Sequence, residues 1–180
     1  SSPTTSALPP APTSAAAPPP PATTPPTVVT APVAGQTVQL VNHGTGGYLG
    51  VAGNSTSNGA LVVQTFQSSS SSTRWRLQTP NPAKPGCYVL VLAGTNKALD
   101  VPDGAEADGA PMQIWTADGS SNQTWCFEAV AGGFSLQNQY AYRLLDLRDG
   151  SSAEGATIQH WGAEASRPNQ NQTWRLLLVS

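Results

Sequence analysis

Charge is scarce in this chain and absent from its beginning. No Lys, Arg, Asp or Glu precedes Arg74, and the 180 residues carry 8 basic and 10 acidic side chains, a formal net charge of −2. So weak and balanced a charge supplies no electrostatic footprint for nucleic acid and no polybasic patch for an anionic membrane. Long apolar runs are missing too: nothing approaches the roughly 20 residues of a membrane-spanning helix. Histidine is limited to His43 and His160, and cysteine to Cys87 and Cys126. Two cysteines without a histidine cluster make no zinc site, and no other metal or cofactor motif occurs. The cysteines are expected as a disulfide or as two buried thiols. A polar, weakly charged composition suits an extracellular protein, so secretion is expected. No basic and apolar signal segment opens the chain, and any export signal is expected upstream of Ser1.

What is present falls into two parts. Residues 1–34 hold eleven of the 17 prolines among Ala, Ser and Thr. Proline removes amide donors and fixes φ, so neither helix nor sheet propagates there. Leu8 is the sole large apolar side chain before Val28, which leaves little to offset the entropy of ordering. A disordered, extended linker is expected, serving as a spacer from a further N-terminal domain.

Residues 35–180 repeat in three copies, about 35–80, 81–131 and 132–180. Trp75, Trp125 and Trp174 stand 50 and 49 residues apart, and Leu49, Leu99 and Leu145 stand 50 and 46 apart. The pairs Gly59-Ala60, Gly109-Ala110 and Gly155-Ala156 follow at 50 and 46, and Gln64, Gln113 and Gln159 at 49 and 46. Markers kept in one order at one period signal an internal repeat.

Each copy reads as four short strands. The first strands contain Val38-Gln39-Leu40, Tyr88-Val89-Leu90 and Phe134-Ser135-Leu136. The last alternate with period two: Trp75 and Leu77; Trp125, Phe127 and Ala129; Trp174, Leu176 and Leu178. Asp103-Gly104 and Asp149-Gly150 mark turns between them. One repeat cannot bury its own apolar stripe, whereas three closing around a pseudo-threefold axis can. The strand phase places Cys87 and Cys126 off the inward stripe, on one side of the sheet, where a bridge within the middle copy is possible.

The copies end in Gln123-Thr124-Trp125, Gln172-Thr173-Trp174 and the variant Thr73-Arg74-Trp75. With the Leu-Asp-Val-like turns and Gly-Ala-x-x-Gln-x-Trp segments upstream, this resembles the ricin B-chain lectin family, also called family 13 carbohydrate-binding modules. The resemblance implies an all-β fold, a β-trefoil of three four-stranded repeats, and a carbohydrate partner: galactosides, or a plant or microbial polysaccharide such as xylan. It implies core roles for Trp75, Trp125 and Trp174. It implies sugar contact by Asp100, Gln113, Trp115 and Asn122 in the second repeat, and by Asp146, Gln159, Trp161 and Asn171 in the third.

Those residue types suit the task. A pyranose packs its C–H face on an aromatic ring. A carboxylate accepts charge-assisted hydrogen bonds from hydroxyls, and a carboxamide both donates and accepts. Both copies place Asp and Gln 13 residues apart, and Asp and Trp 15 apart. In the first copy Gly50 stands in place of Asp, Phe66 replaces Trp, Val62-Val63 reads as a one-residue insertion, and Ser72-Thr73 replaces Asn-Gln. That site is expected to be dead or weak. Of three sequons, only Asn54-Ser55-Thr56 lies clear of the proposed sites.

Catalysis is not expected. No Ser-His-Asp order occurs, and glycosidase chemistry needs two carboxylates about 5–9.5 Å apart, closer than threefold symmetry should bring Asp100 and Asp146. The binding module is expected to serve an attached enzyme. The alternative is a protein-binding trefoil, a protease inhibitor or signalling ligand, since fold alone does not fix function.

Overall fold

Trp75, Trp125 and Trp174 are all but inaccessible to solvent, and each indole Nε1 donates to a main-chain carbonyl of its own repeat. The acceptors are Leu49, Leu99 and Leu145, at 3.0, 3.1 and 3.1 Å. Two of the sequence markers are therefore one contact, made three times. The large rings fill the centre and the hydrogen bond satisfies the one polar atom each brings there. The computed structural model describes residues 1–10, 16–21, 23–163 and 169–180.

The first repeat contributes β1 (Thr37–Asn42), β2 (Tyr48–Val51), β3 (Val62–Thr65) and β4 (Trp75–Gln78). The second contributes β5 (Cys87–Leu92), β6 (Lys97–Asp100), β7 (Gln113–Thr116) and β8 (Thr124–Val130). The third contributes β9 (Gly133–Asn138), β10 (Leu144–Leu147), β11 (Ile158–Trp161) and β12 (Trp174–Leu178). Outer strands close a ring by antiparallel pairing: β1 with β4, β4 with β5, β5 with β8, β8 with β9, β9 with β12, and β12 with β1. The inner pairs β2–β3, β6–β7 and β10–β11 form three hairpins. This is the β-trefoil, and closure leaves its six barrel strands without an edge.

The Gly-Ala pairs lock the hairpins to one another. Gly59 N donates to Ile114 O and Ile114 N to Ala60 O; Gly109 and Ala110 do the same with His160, and Gly155 and Ala156 with Gln64. Each repeat thus grips the third strand of the next. Val62, Met112 and Ile158 meet beneath, fully buried. Gln64, Ile114 and His160 occupy equivalent places, and Gln64 Nε2 and the His160 ring bond to Ala153 O and Ala107 O respectively.

Three expectations need correction. Gln64 is not the counterpart of Gln113 and Gln159. Gly50 pairs with Val63 as Asp100 pairs with Gln113, and Tyr48 pairs with Thr65 as Ala98 pairs with Trp115. The first repeat therefore has no insertion at Val62-Val63, and Thr65, not Phe66, stands at the Trp position. Contact to the preceding repeat agrees: Glu154 accepts from Phe66 N as Asn58 accepts from Thr116 N and Asp108 from Gly162 N.

The inward alternation of the last strands also fails at its ends, because Ala129 and Leu178 are exposed. In β12, Leu176 and Leu177 are both buried. The edge of β12 at Leu177 is taken up by the incoming chain, where Val28 pairs with Leu177 and Val29 N donates to Leu176 O. Pairing thus begins upstream of residue 35. The Tyr88 hydroxyl donates to Pro32 O at 2.8 Å and fastens the same segment to the middle repeat.

Cys87 and Cys126 are registered partners on β5 and β8, with Cα atoms 3.9 Å apart, and are joined by a disulfide.

Candidate carbohydrate site

Asp100 ends β6 and Gln113 opens β7, directly opposite. Gln113 Nε2 donates to Asp100 Oδ1 at 2.8 Å. Period-two alternation then puts Trp115 on the same side as Gln113, and the residue is 44% exposed. The short turn Ser121–Gln123 brings Asn122 over the strands, where its Nδ2 donates to Asp100 Oδ2 at 2.9 Å. These four predicted residues line one cleft of about 450 Å³.

The sequence reading missed a buried support behind that cleft and several residues of its lining. Gln123, read only as part of the Gln-x-Trp motif, donates to Asp100 Oδ2 at 3.0 Å and to Thr116 O at 3.0 Å. Its side-chain Oε1 accepts from Asp118 N. Asp103, Gly104, Asp118, Ser121 and Tyr140 complete the lining. Asp103 sits in the turn after β6 with φ +52°, a left-handed conformation that short Asp side chains tolerate. Tyr140 comes from the third repeat and no spacing within the second could have found it.

Asp100 is 3% exposed and accepts three amide hydrogen bonds. Burial pushes its pKa up from the ordinary aspartate value, Gln113 and Gln123 oppose this, and the charges of Asp118 and Asp103 add to it. A carboxylate has about four acceptor positions, of which the described residues occupy three, leaving one on Oδ1.

The third repeat repeats the plan. Asp146 lies opposite Gln159, whose Nε2 donates to its Oδ1 at 2.8 Å. Trp161 is 40% exposed. Asp146, Gln159, Trp161 and Asn171 line a smaller cleft of about 180 Å³ with Asp149 and Asn169. Arg148 Nε donates to Gln159 Oε1 at 2.7 Å, a support with no equivalent residue in the second repeat, where Pro102 stands. His160 faces the other way, buried, with its pKa lowered by that burial.

The first repeat lacks the chemistry for a steric reason as well as a compositional one. A Cβ on Gly50 would stand 2.8 Å from Thr65 Cγ2. The cleft there, about 300 Å³, is lined by Val63 and Thr65 in place of Gln and Trp. Its carboxylate, Glu154, belongs to the third repeat and is already bonded to Thr65 Oγ1 and Phe66 N.

Comparison with known proteins agrees with this architecture. A family model described as ricin-type beta-trefoil lectin domain-like matches residues 27–115 and again 78–161. A designed threefold-symmetric protein, ThreeFoil, is similar with a TM-score of 0.72 and 30% identity, over 79% of this chain and 99% of that one. An exo-beta-1,3-galactanase from Clostridium thermocellum is similar with a TM-score of 0.72 and 32% identity, over 80% of this chain but 30% of the enzyme. The ricin B-like lectin of Macrolepiota procera, solved in complex with lactose, has a TM-score of 0.66 at 18% identity, covering 82% of this chain and 98% of the lectin. At that identity the likeness is one of fold. No curated protein matches the sequence.

Proposed function

The chain belongs to the ricin-type beta-trefoil lectin domain-like family, and from that premise we propose that it is a non-catalytic module binding galactose-type glycans or a xylan-like polysaccharide through its second- and third-repeat clefts. The observation that carries this reading is the pairing, in both clefts, of a carboxylate bonded to a registered Gln amide with a solvent-facing Trp two residues further along the strand. An exposed indole costs hydrophobic free energy unless something covers it, and the C–H face of a pyranose is a suitable cover. The carboxylate, held by its amides, takes a sugar hydroxyl in a charge-assisted hydrogen bond.

Each site should bind modestly, with Kd from about millimolar to tens of micromolar. Two sites on one rigid body gain avidity on a polymer. The Pro-rich segment preceding the barrel suits tethering to a secreted carbohydrate-active enzyme. Supporting this are the disulfide, which favours an oxidising compartment, and the likeness to part of a galactanase.

The test is titration of the chain against galactosides and xylan oligosaccharides beside an Asp100→Ala/Asp146→Ala double variant. Binding that the folded double variant loses supports the reading. No binding by the unaltered chain across both series rejects it and leaves a protein ligand as the better assignment.

A further inference from the structure

Resting on that sugar-binding reading, we propose that Tyr140 makes the second-repeat cleft a two-ring site for a chain of sugars, while the third-repeat cleft takes a single unit. Tyr140 lies in the turn between β9 and β10, yet it lines the second-repeat cleft together with Trp115 and Asp100. Its Cε1 stands 3.1 Å from where a Cβ on Gly104 would be, so the ring lies against the rim turn, and it is 42% exposed.

The ring is held in register with the binding residues. Asn138, fully buried, accepts from Tyr140 N and Ala141 N at 3.0 Å each, and donates through Nδ2 to Asn122 O at 2.9 Å. One side chain therefore fixes both the Tyr140 turn and the main chain that carries Asn122.

The same scaffold recurs beside the third-repeat cleft without the ring. Asn42 Nδ2 donates to Asn171 O at 3.1 Å, and Asn42 Oδ1 accepts from Gly44 N and Thr45 N at 3.1 and 3.3 Å. Gly44 thus stands where Tyr140 stands. The two clefts measure about 450 Å³ and about 180 Å³, and the larger is the one that Tyr140 lines. The first falls within the roughly 300–1,000 Å³ of small-ligand sites and the second below it. Two exposed rings from different repeats give two stacking surfaces for successive pyranoses, which a single sugar on Trp115 does not use.

The experiment uses the full chain carrying Asp146→Ala, which removes the third site. It is titrated with galactose and its β-linked di- and trisaccharides, and with xylose, xylobiose and xylotriose. The expected result is that the trisaccharide of the recognised series binds about tenfold tighter than its monosaccharide. Adding Tyr140→Ala removes that gain and leaves the monosaccharide Kd within about twofold, while Tyr140→Phe keeps the gain. A length preference that survives Tyr140→Ala overturns the inference alone, as does an equal loss for mono- and trisaccharide. No binding of any sugar by the Asp146→Ala chain, where the unaltered chain also binds none, rejects the sugar-binding reading and the inference with it.

Discussion

The side-chain amide of Gln123 donates to Oδ2 of Asp100 at 3.0 Å. A residue of the repeat-ending motif is thereby part of the site, since the turn that delivers Trp125 to the core also braces the carboxylate 23 residues upstream. One amide thus braces both the fold and the candidate site. Gln123→Ala should lower unfolding free energy by about 1–3 kcal/mol, because it removes a fully buried side chain together with its hydrogen bonds to Asp100 Oδ2, Thr116 O and Asp118 N. It should also weaken second-site binding while sparing the third. Denaturant unfolding and titration of single-site variants read the two effects apart.

The five tryptophans divide into two kinds by exposure. Trp125→Ala removes a fully buried ring and the bond to Leu99 O, and should destabilise by about 3–5 kcal/mol. Trp115→Ala, at a solvent-facing ring, should change stability by about 0.5 kcal/mol or less and abolish second-site binding. Thermal melts with parallel titration would show the inversion; a large stability loss at Trp115 would mean the ring belongs to the core.

The disulfide spans a sequence separation of 39 residues and joins the first and last strands of one repeat. Its loss in Cys87→Ser/Cys126→Ser should lower stability by about 2–4 kcal/mol. The clefts lie on the hairpin strands, away from this bond, so affinity should hold once the chain is folded. Melting under reducing and non-reducing conditions checks both statements.

Acid should act through two buried groups, Asp100 and His160, with opposite effects on stability. Asp100 is held above the ordinary aspartate value of 3.8, chiefly by burial, so its neutral form is the one the fold favours. As pH falls through that raised value, second-site affinity is lost before a free aspartate would titrate. In the same window the Asp100 contribution to stability rises, since the folded state takes up the proton first. His160 works the other way. Its pKa is depressed below 6.5 by burial, so stability present above 6.5 falls as the unfolded chain binds a proton the folded one refuses. His160→Gln, which reproduces the Gln64 contact at the equivalent place, should flatten the stability slope just below pH 6.5.

Restoring the missing carboxylate should not restore the first site. Gly50→Asp drives a Cβ into Thr65 Cγ2, and such overpacking typically costs about 1–3 kcal/mol. Titration of Gly50→Asp in the Asp100→Ala/Asp146→Ala background should find no sugar binding. Recovery of binding would show that Thr65 yields and that the carboxylate alone was lacking.

Much of the site was legible because its members recur at fixed spacing within a repeat. Asp100, Gln113 and Trp115 sit on one hairpin, and a hairpin turns a sequence interval into a cross-strand distance. The same logic misled at the first repeat. Gln64 looked like a third copy of the binding Gln, but strand register assigns that place to Val63 and puts Gln64 on the opposite face. A one-residue difference reverses the side of the sheet, and with Gly50 carrying no side chain the sequence offered no marker to fix the count.

The sequence by itself determined the number of repeats, their all-β character, the core tryptophans and the two hairpins that carry Asp and Trp. These depend on local alternation and on one period repeated. Only the tertiary structure decided which residues meet across repeats: Tyr140 on the second-repeat cleft, the Gly-Ala pairs on their neighbours' strands, Glu154 on Thr65, and Val28 and Val29 against β12. Such contacts join positions up to about 150 residues apart, through a closure that threefold packing supplies and no interval in the chain encodes.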